Sequence, residues 1–225
     1  MIYIMSDLHG EYEQFIKMLE KINFSNDDTL YILGDIFDRG ERPLDIIDYI
    51  RRPENNNIKM IMGNHEAFYL ETLEDDLNFY LWIENGGLST FNQLKEKDKE
   101  YIDSLTNFIK GLPLYDIVGN YILVHAGVNL PQNVDGLFVD EIMNSQTKDD
   151  LIWDRRFVKS DKYIEGYTVI CGHTPTINRE GYKGKMSKIK HSKGKIMIDC
   201  GAFYKEYNGR LGCLRLDDMK EFYID

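Results

Sequence analysis

Short apolar segments that each stop at a group of polar residues constrain this 225-residue chain most strongly. The segments are rich in Ile, Val, Tyr and Met, and their length favours β-strands. The predicted strands lie at residues 1–5, 29–33, 58–62, 121–124, 168–171, 195–198 and 213–216. Residues 11–22 carry apolar side chains on one helical face, and residues 43–51 begin with a helix-start proline. This alternation predicts an α/β fold that shifts to mostly strands later in the chain.

The polar groups at the strand ends combine acidic residues, histidine, asparagine and glycine. They are Asp7-Leu8-His9-Gly10, Gly34-Asp35-Ile36-Phe37-Asp38-Arg39-Gly40, Gly63-Asn64-His65-Glu66, His125-Ala126-Gly127, Gly172-His173-Thr174 and Asp199-Cys200-Gly201. Four of the five histidines belong to these groups, whereas His191 lies in a lysine-rich segment. Ligand sites of α/β sheets lie at the carboxyl ends of strands, so we expect the groups to meet at one edge.

The residue types and their spacing predict a site for two metal ions. Asp7 and His9 project to the same side of an extended backbone, and the two oxygens of Asp35 suit a bridging carboxylate. The full set of candidate ligands is Asp7, His9, Asp35, Asn64, His125 and His173. Carboxylate, amide and imidazole ligands without thiolates favour manganese or iron, with zinc as an alternative, over calcium. Each group alone is a weak signal, but their ordered series predicts a binuclear site.

In this order the motifs resemble those of the binuclear metallophosphoesterases, specifically the phosphoprotein phosphatase family. The family pattern is Gly-Asp-x-His-Gly, Gly-Asp-x-x-Asp-Arg-Gly, Gly-Asn-His-Glu, His-Ala/Gly-Gly and Gly-His-Thr, and Ser6 stands here in place of the first glycine. Further segments resemble the small bacterial and bacteriophage enzymes of the lambda phosphatase type: Trp82-Ile83-Glu84-Asn85-Gly86-Gly87, Leu112-Pro113-Leu114 and Ile152-Trp153-Asp154-Arg155. The resemblance covers residues 1 to about 201. It implies a central β-sandwich flanked by helices, with the metal site at the carboxyl ends of strands.

The resemblance also implies a role for each matching residue. The first metal ion would be bound by Asp7, His9 and Asp35, and the second by Asp35, Asn64, His125 and His173. His65 would be the proton donor, with Asp38 fixing its orientation. The substrate phosphoryl group would be contacted by Arg39, Arg155 and Asn64. The second arginine of the family could also correspond to Arg156, because no glycine motif fixes the alignment there.

The predicted activity is hydrolysis of phosphoserine and phosphothreonine in proteins by direct attack of a metal-bound hydroxide. Two divalent cations, with manganese expected first, would lower the pKa of a shared water from about 15.7 toward about 7. The alternative substrate is diadenosine tetraphosphate, because the symmetrical bis(5'-nucleosyl)-tetraphosphatases share most of these motifs. The Asp38-Arg39 pair and Glu66 favour the phosphatase. Four aromatic residues would favour the nucleotide if they stacked on adenine rather than packing in the core: Tyr69, Phe79, Tyr80 and Trp82. A non-enzymatic phosphate-binding scaffold fits the complete ligand set poorly.

Composition restricts the partners and the compartment. The net charge of −11 and the pI near 5.0 argue against a nucleic-acid duplex as partner. Three widely spaced cysteines form neither a disulfide framework nor a zinc knuckle. The chain has no apolar stretch near the roughly 20 residues of a membrane span, and its apolar start is too short for a secretory signal. We therefore expect a cytoplasmic protein without a membrane partner.

The chain length predicts a single domain over residues 1–225, with a helical insertion at about 66–110 that is broken at Asn85-Gly86-Gly87. Residues 179–195 contain seven basic residues and one acid. We expect this basic segment to overhang the metal site and attract phosphorylated substrates. A solvated hairpin without a role in binding is the competing interpretation.

Overall fold

The structure is a computed structural model that describes residues 1–132, 136–177 and 185–225. The strands within these ranges are β1 (Ile2–Met5), β2 (Thr29–Ile32), β3 (Ile58–Met60), β4 (Tyr115–Val118), β5 (Tyr121–Val124), β6 (Thr168–Cys171), β7 (Lys190–Ser192), β8 (Lys195–Met197), β9 (Leu211–Arg215) and β10 (Lys220–Ile224). The α-helices are α1 (Tyr12–Lys21), α2 (Pro43–Ile50), α3 (Asn64–Thr72), α4 (Asp76–Trp82), α5 (Leu88–Leu94), α6 (Lys99–Lys110), α7 (Val139–Asn144), α8 (Lys148–Ile152) and α9 (Arg156–Lys159). A π-helical turn at Ile83–Gly87 joins α4 to α5.

Two mixed five-stranded sheets form the centre of the described part of the chain. The strand order is β10-β9-β1-β2-β3 in the first sheet and β4-β5-β6-β8-β7 in the second. Strands β1, β2 and β3 are parallel to one another, and so are β5, β6 and β8. The antiparallel strands lie outside these triplets. Each sheet therefore presents three parallel carboxyl ends at one edge.

Alternate residues of the central strands face two different apolar layers. Ile4 of β1 belongs to one buried cluster with Leu123 of β5 and Ile170 of β6, which places that cluster between the sheets. Its neighbours Tyr3 and Met5 belong to the other cluster, which includes the apolar residues of the helices. The pleat of a strand produces this alternation. The predicted α/β class, with a central sandwich flanked by helices, is confirmed.

The two sheets meet at the carboxyl ends of their parallel strands. Nδ1 of His125, which follows β5, lies 2.6 Å from the carbonyl oxygen of Leu33, which follows β2. The N–H of Gly172 donates to the carbonyl of His125 at 2.7 Å. A Cβ atom at Gly172 would collide with Ser6 and Asp7, so glycine is what allows the end of β6 to reach the end of β1. The polar groups at the strand ends consequently converge.

Several elements differ from the sequence prediction. The expected shift to mostly strands is present, since seven of the ten strands in the described ranges follow α6. The patterns do not predict β4, β7 and β10, nor the short helices α7, α8 and α9 between β5 and β6. These helices have only four to six residues, too few to display an apolar periodicity. The predicted break at 85–87 is the π-helical turn, where Gly86 has a φ of 104°, and the helix α5 after it is not predicted. The single-domain organisation stays a prediction.

The basic segment 179–195 lies only partly within the described residues, since Arg179, Glu180 and Lys183 fall outside them. Its exposed lysines are Lys185, Lys188, Lys190 and Lys193. Lys195 is 2% exposed, and its Nζ donates to the carbonyl oxygens of Phe157 at 2.6 Å and Ser160 at 2.5 Å. Burial lowers the pKa of this lysine. Lys195 therefore fastens β8 to α9 instead of attracting substrate.

We expect Lys195→Met to destabilise the protein by about 2–6 kcal/mol, because two carbonyl acceptors of the buried ammonium lose their donor and each loss costs about 1–3 kcal/mol. The free energy of unfolding in urea measures the effect. Lys193→Met is the matched control, since the Lys193 ammonium is exposed, and it should change the value by less than about 0.5 kcal/mol. Equal losses in the two variants would contradict a fastening role for Lys195.

Candidate metal centre and active site

Candidate metal ligands from both sheets lie together where the sheets meet. Two groups have ligand atoms within 4.8 Å of one another: His9, Asp35 and His65, and Asp35, His125 and His173. Asp35 belongs to both groups, as a bridging carboxylate would. Its Oδ2 lies 3.3 Å from Nε2 of His125 and 3.8 Å from Nε2 of His9. The predicted histidines and the predicted bridge are thus in one place.

Asn64 and Asp7 complete the predicted ligand set. Oδ1 of Asn64 lies 2.9 Å from Nε2 of His125. The carboxylate of Asp7 accepts the N–H of His173 at 3.0 Å and the hydroxyl of Ser6. Ser6, which replaces the first glycine of the family pattern, therefore hydrogen-bonds to a candidate ligand. The division of the ligands between a first and a second ion stays a prediction.

The protonation of the histidines suits divalent cations. Burial lowers the pKa of His9 well below its usual range and that of His173 to about 3, so both rings offer neutral nitrogen. Although burial opposes it, the charge of Asp35 raises the pKa of His125 to about 10. The proton on Nε2 of His125 then lies between oxygens of Asp35 and Asn64, where a cation would replace it. When bound, divalent cations supply Lewis acidity that lowers the pKa of water and neutralises phosphoryl charge.

Strained backbone is concentrated at this site. Six of its non-glycine residues have φ between 40° and 71°: Asp7, His9, Asp35, Asp38, Arg39 and His173. Only Asn23, Asn208 and Met219 share this left-handed conformation elsewhere in the described ranges. Such conformations are uncommon for residues with a Cβ atom and cost on the order of 1–3 kcal/mol each. The surrounding structure must therefore hold the strand-end turns in place.

Glu66 holds the turns that follow β2 and β3, a role separate from the substrate preference that its motif indicates. Its buried carboxylate accepts four backbone N–H bonds of 2.8–3.2 Å, from Asp35, Ile36, Phe37 and Gly63. Burial and the charge of Asp35 raise the pKa of Glu66 to about 7. The sequence indicates that Glu66 can accept backbone N–H groups, because it lies in the first turn of α3 and helix N-termini leave N–H groups unpaired.

His65 and Asp38 form the buried pair that the resemblance implies. Nδ1 of His65 lies 2.6 Å from Oδ2 of Asp38. The Asp38 carboxylate also accepts the indole N–H of Trp82 at 2.8 Å and the hydroxyl of Thr90 at 2.6 Å. Although burial opposes it, the carboxylates of Asp35 and Asp38 raise the pKa of His65. Nε2 of His65 faces the pocket and accepts an N–H of Arg39 in this structure, so it is the nitrogen that would carry the second proton of a protonated ring.

Trp82 and Thr90 are functional partners that the sequence analysis missed. They belong to α4 and α5 of the helical insertion. The family resemblance of the Trp82-to-Gly87 segment draws attention to Trp82, and no motif includes Thr90. Trp82 is 2% exposed, and its ring packs against Tyr69 and Phe79, so these three aromatic residues are core. Of the four aromatic residues considered for adenine stacking, Tyr80 alone is exposed, at 68%.

The site opens into a pocket of about 440 Å³ whose walls carry two arginines. The guanidinium of Arg39 lies 2.5 Å from Nε2 of His9 and 2.8 Å from Nε2 of His65. Nε of Arg155 lies 3.1 Å from Nε2 of His173. One guanidinium group thus lies beside His9 and His65, and the other beside His173. This geometry suits charge-assisted hydrogen bonds to phosphoryl oxygens.

Arg155 and Arg156 provide a direct test of the arginine assignment. Arg155 lines the pocket, whereas the side chain of Arg156 is 76% exposed and pairs with Asp154. We expect Arg155→Ala to lower kcat/KM for phosphate esters by about 10–100-fold, the value of a hydrogen bond to a charged group. Arg156→Ala should change kcat/KM by less than about twofold. A larger loss in the Arg156 variant would reverse the assignment.

Two sheets with carboxylates, an amide and histidines at their strand ends define a class of enzymes, the metallophosphoesterases, which are hydrolases. Residues 1–206 match the sequence model of the family described as calcineurin-like phosphoesterase, and the chain belongs to that family. No helix in the described ranges combines the length and the apolar character needed to cross a membrane.

Individual relatives divide between two substrate classes. The chain is 34% identical over 137 residues to a symmetrical bis(5'-nucleosyl)-tetraphosphatase of Haemophilus ducreyi, covering 56% of this chain and 45% of that protein. It is 32% identical over 157 residues to serine/threonine-protein phosphatase 2 of Escherichia coli, covering 68% of this chain and 66% of that protein. The chain therefore spans about half to two thirds of the length of these relatives.

A solved structure of a yeast protein serine/threonine phosphatase, described as similar to human phosphatase PP5, has the same fold. It superimposes with a TM-score of 0.66 at 16% identity, over 99% of this chain and 78% of that one. Identity at this level supports the fold and not the substrate.

Proposed function

We propose that this protein is a metal-dependent phosphomonoesterase that removes phosphate from phosphoserine and phosphothreonine in proteins. The observation that carries the proposal is the His65–Asp38 pair, whose carboxylate is held by Trp82 and Thr90. An alkoxide leaving group is strongly basic and departs slowly unless it receives a proton. A buried, oriented imidazolium supplies one, and general acid catalysis contributes roughly 10²–10⁴-fold.

The residues divide the work of this reaction. Arg39 and Arg155 bind and orient the phosphoryl group and offset its charge in the transition state. Asn64 contacts the same group and, with the carboxylates and histidines, belongs to the proposed binding sites of two divalent cations. We propose manganese as the resident metal, with iron or zinc as alternatives, because the ligands are oxygen and imidazole atoms. The role of His65 is to deliver the proton at Nε2.

The cytoplasm of a bacterium is the proposed location. The three cysteines are buried thiols, and burial raises the pKa values of Cys171 and Cys200 to about 12. Buried thiols of this kind are typical of proteins in reducing compartments. The two curated relatives described above are bacterial proteins.

The second candidate function is hydrolysis of diadenosine tetraphosphate, which the similarity to the Haemophilus tetraphosphatase favours. A nucleoside diphosphate is a much better leaving group than an alkoxide, so this reaction makes less use of the His65–Asp38 pair. The pair is therefore the reason for ranking the phosphomonoesterase first.

The deciding experiment compares specificity constants on the manganese-loaded protein. We expect kcat/KM for a panel of phosphoserine and phosphothreonine peptides to exceed that for diadenosine tetraphosphate by at least about tenfold, a difference of about 1.4 kcal/mol in transition-state binding. A preference for diadenosine tetraphosphate of the same size would overturn the proposal in favour of the second candidate.

A further inference from the structure

The outer face of α4 is apolar and exposed. Leu77 is 69% exposed, Tyr80 68% and Leu81 49%, and their spacing of three and four residues places them on one side of the helix. Phe79 and Trp82 on the other side pack into the core. Five of the eleven exposed large apolar residues in the described ranges lie between residues 73 and 88. Such a concentration is typical of an interaction surface.

A groove of about 680 Å³ lies beside the active site. Glu84 and Leu88, which follow α4 in the chain, line this groove together with Phe203. Arg39, Asn85 and Tyr204 line both this groove and the phosphate pocket. A substrate whose phosphoryl group occupies the pocket can thus extend into the groove, whose lining includes Leu88 of the exposed apolar residues.

The charges around this path are negative. Residues 71–92 contain five acidic residues and no lysine, arginine or histidine. Four of the five are exposed: Glu74, Asp75, Asp76 and Glu84. Among the described lining residues Arg39 is the single cation of the groove. A polyphosphate that extended in this direction would meet carboxylates, whereas a lysine or arginine side chain would meet opposite charge.

From these observations we propose that the groove and the outer face of α4 bind the polypeptide of a phosphoprotein substrate. The bound segment carries apolar and cationic side chains close to the phosphorylated residue. The inference rests on the proposed phosphomonoesterase function and adds the chemistry of its substrate. Leu77, Tyr80, Leu81 and Leu88 contact the apolar side chains of that segment, and Glu84 and the neighbouring acids contact its cations.

The test uses the full manganese-loaded chain and two phosphothreonine peptides, one with flanking leucine and arginine and one with flanking serine and aspartate. We expect kcat/KM to favour the leucine–arginine peptide by about tenfold or more. Two variants test the surface: the double variant Tyr80→Ser/Leu88→Ser and the single variant Glu84→Lys. Each should reduce the preference for the leucine–arginine peptide to about twofold by raising its KM. Hydrolysis of nitrophenyl phosphate should be unchanged. The matched control is Phe138→Ser, which removes a side chain that is 75% exposed elsewhere and should keep the preference.

Binding is measured in parallel by fluorescence anisotropy of a labelled peptide that carries a non-hydrolysable phosphonate. We expect its Kd to rise about tenfold in the Tyr80–Leu88 variant and to stay constant in the Phe138 variant.

Equal hydrolysis of both peptides, unaffected by the variants, would overturn the proposed docking surface and leave the proposed phosphatase activity standing. Failure to hydrolyse either peptide, with turnover of diadenosine tetraphosphate, would overturn the proposed function itself. A dimer in sedimentation that the Tyr80–Leu88 change dissociates would assign the face to self-association and overturn the proposal.

Discussion

Asp35→Asn is expected to reduce the bound metal from two ions per chain to fewer than one and to lower kcat/KM by about 10³-fold or more. The carboxylate Oδ2 of Asp35 faces the Nε2 atoms of His125 and His9, and an amide there cannot bridge two cations. Metal ions contribute several kcal/mol of transition-state stabilisation, and about 1.4 kcal/mol is a factor of ten. Oδ1 of Asp35 accepts the N–H of His65 at 3.0 Å, which the asparagine oxygen can still do, so the variant should fold.

Metal content is measured by elemental analysis of the purified protein, and folding by circular dichroism. Asp199→Asn is a matched control, because Asp199 is also a buried carboxylate after a strand but belongs to neither ligand group. Its Oδ1 accepts the N–H of Gly201, and burial raises its pKa well above the usual range. The control should retain two ions. Two ions and intact turnover in the Asp35 variant would refute the bridge.

His65→Asn should slow the hydrolysis of phosphoserine peptides by roughly 10²–10⁴-fold and that of nitrophenyl phosphate far less. Nitrophenolate is stable as an anion and needs little help from an acid, whereas a serine alkoxide depends on the proton. Metal content should be unchanged. Rates on the two substrates, measured for the same preparation, give the ratio that identifies the general acid.

Thr90→Val refines this test, because it removes the hydroxyl that donates to Oδ1 of Asp38 without touching His65. It should also slow the hydrolysis of phosphoserine peptides more than that of nitrophenyl phosphate, but by a smaller factor than His65→Asn. An equal loss on both substrates, or loss of one ion from the His65 variant, would instead make His65 a metal ligand. That outcome deserves a direct measurement, since Nε2 of His65 lies 4.0 Å from Oδ2 of Asp35.

The candidate ligands are predictable from the sequence because each follows an apolar segment directly, and parallel strands end at a common edge. Asp35 and His125 are examples, brought together by strands β2 and β5 of different sheets. The partners of Asp38 are not predictable in this way. Trp82 and Thr90 lie 44 and 52 residues away in the sequence, and their contact depends on how α4 and α5 fold back over the site. Nothing local in the chain marks them as partners of a carboxylate.

The burial of a charged side chain is also hard to predict from the sequence pattern. The pattern groups Lys195 with the exposed basic residues of segment 179–195, but its ammonium is buried and donates to carbonyl oxygens at the end of α9. The left-handed backbone of Asp7 and Asp35 is equally hard to predict, since aspartate adopts that conformation only occasionally and its spacing in the sequence does not show where. Both depend on tertiary contacts, which residue type and spacing do not encode.

The seven residues of α4 contribute both to the active site and to the proposed docking face, and this limits which substitutions can change the substrate preference. Trp82 on its inner side donates to Asp38, the partner of the proposed proton donor His65, while Leu77 and Tyr80 on its outer side are proposed to contact the substrate polypeptide. Substitutions on the outer side can change the substrate preference without loss of the Trp82–Asp38 hydrogen bond only if the helix keeps its register. A one-residue shift would turn Trp82 away from Asp38. Exchange of the whole insertion would change the proposed docking face and the contact with Asp38 together. Engineers seeking a new target should vary Leu77 and Tyr80 singly and leave the length of the insertion untouched.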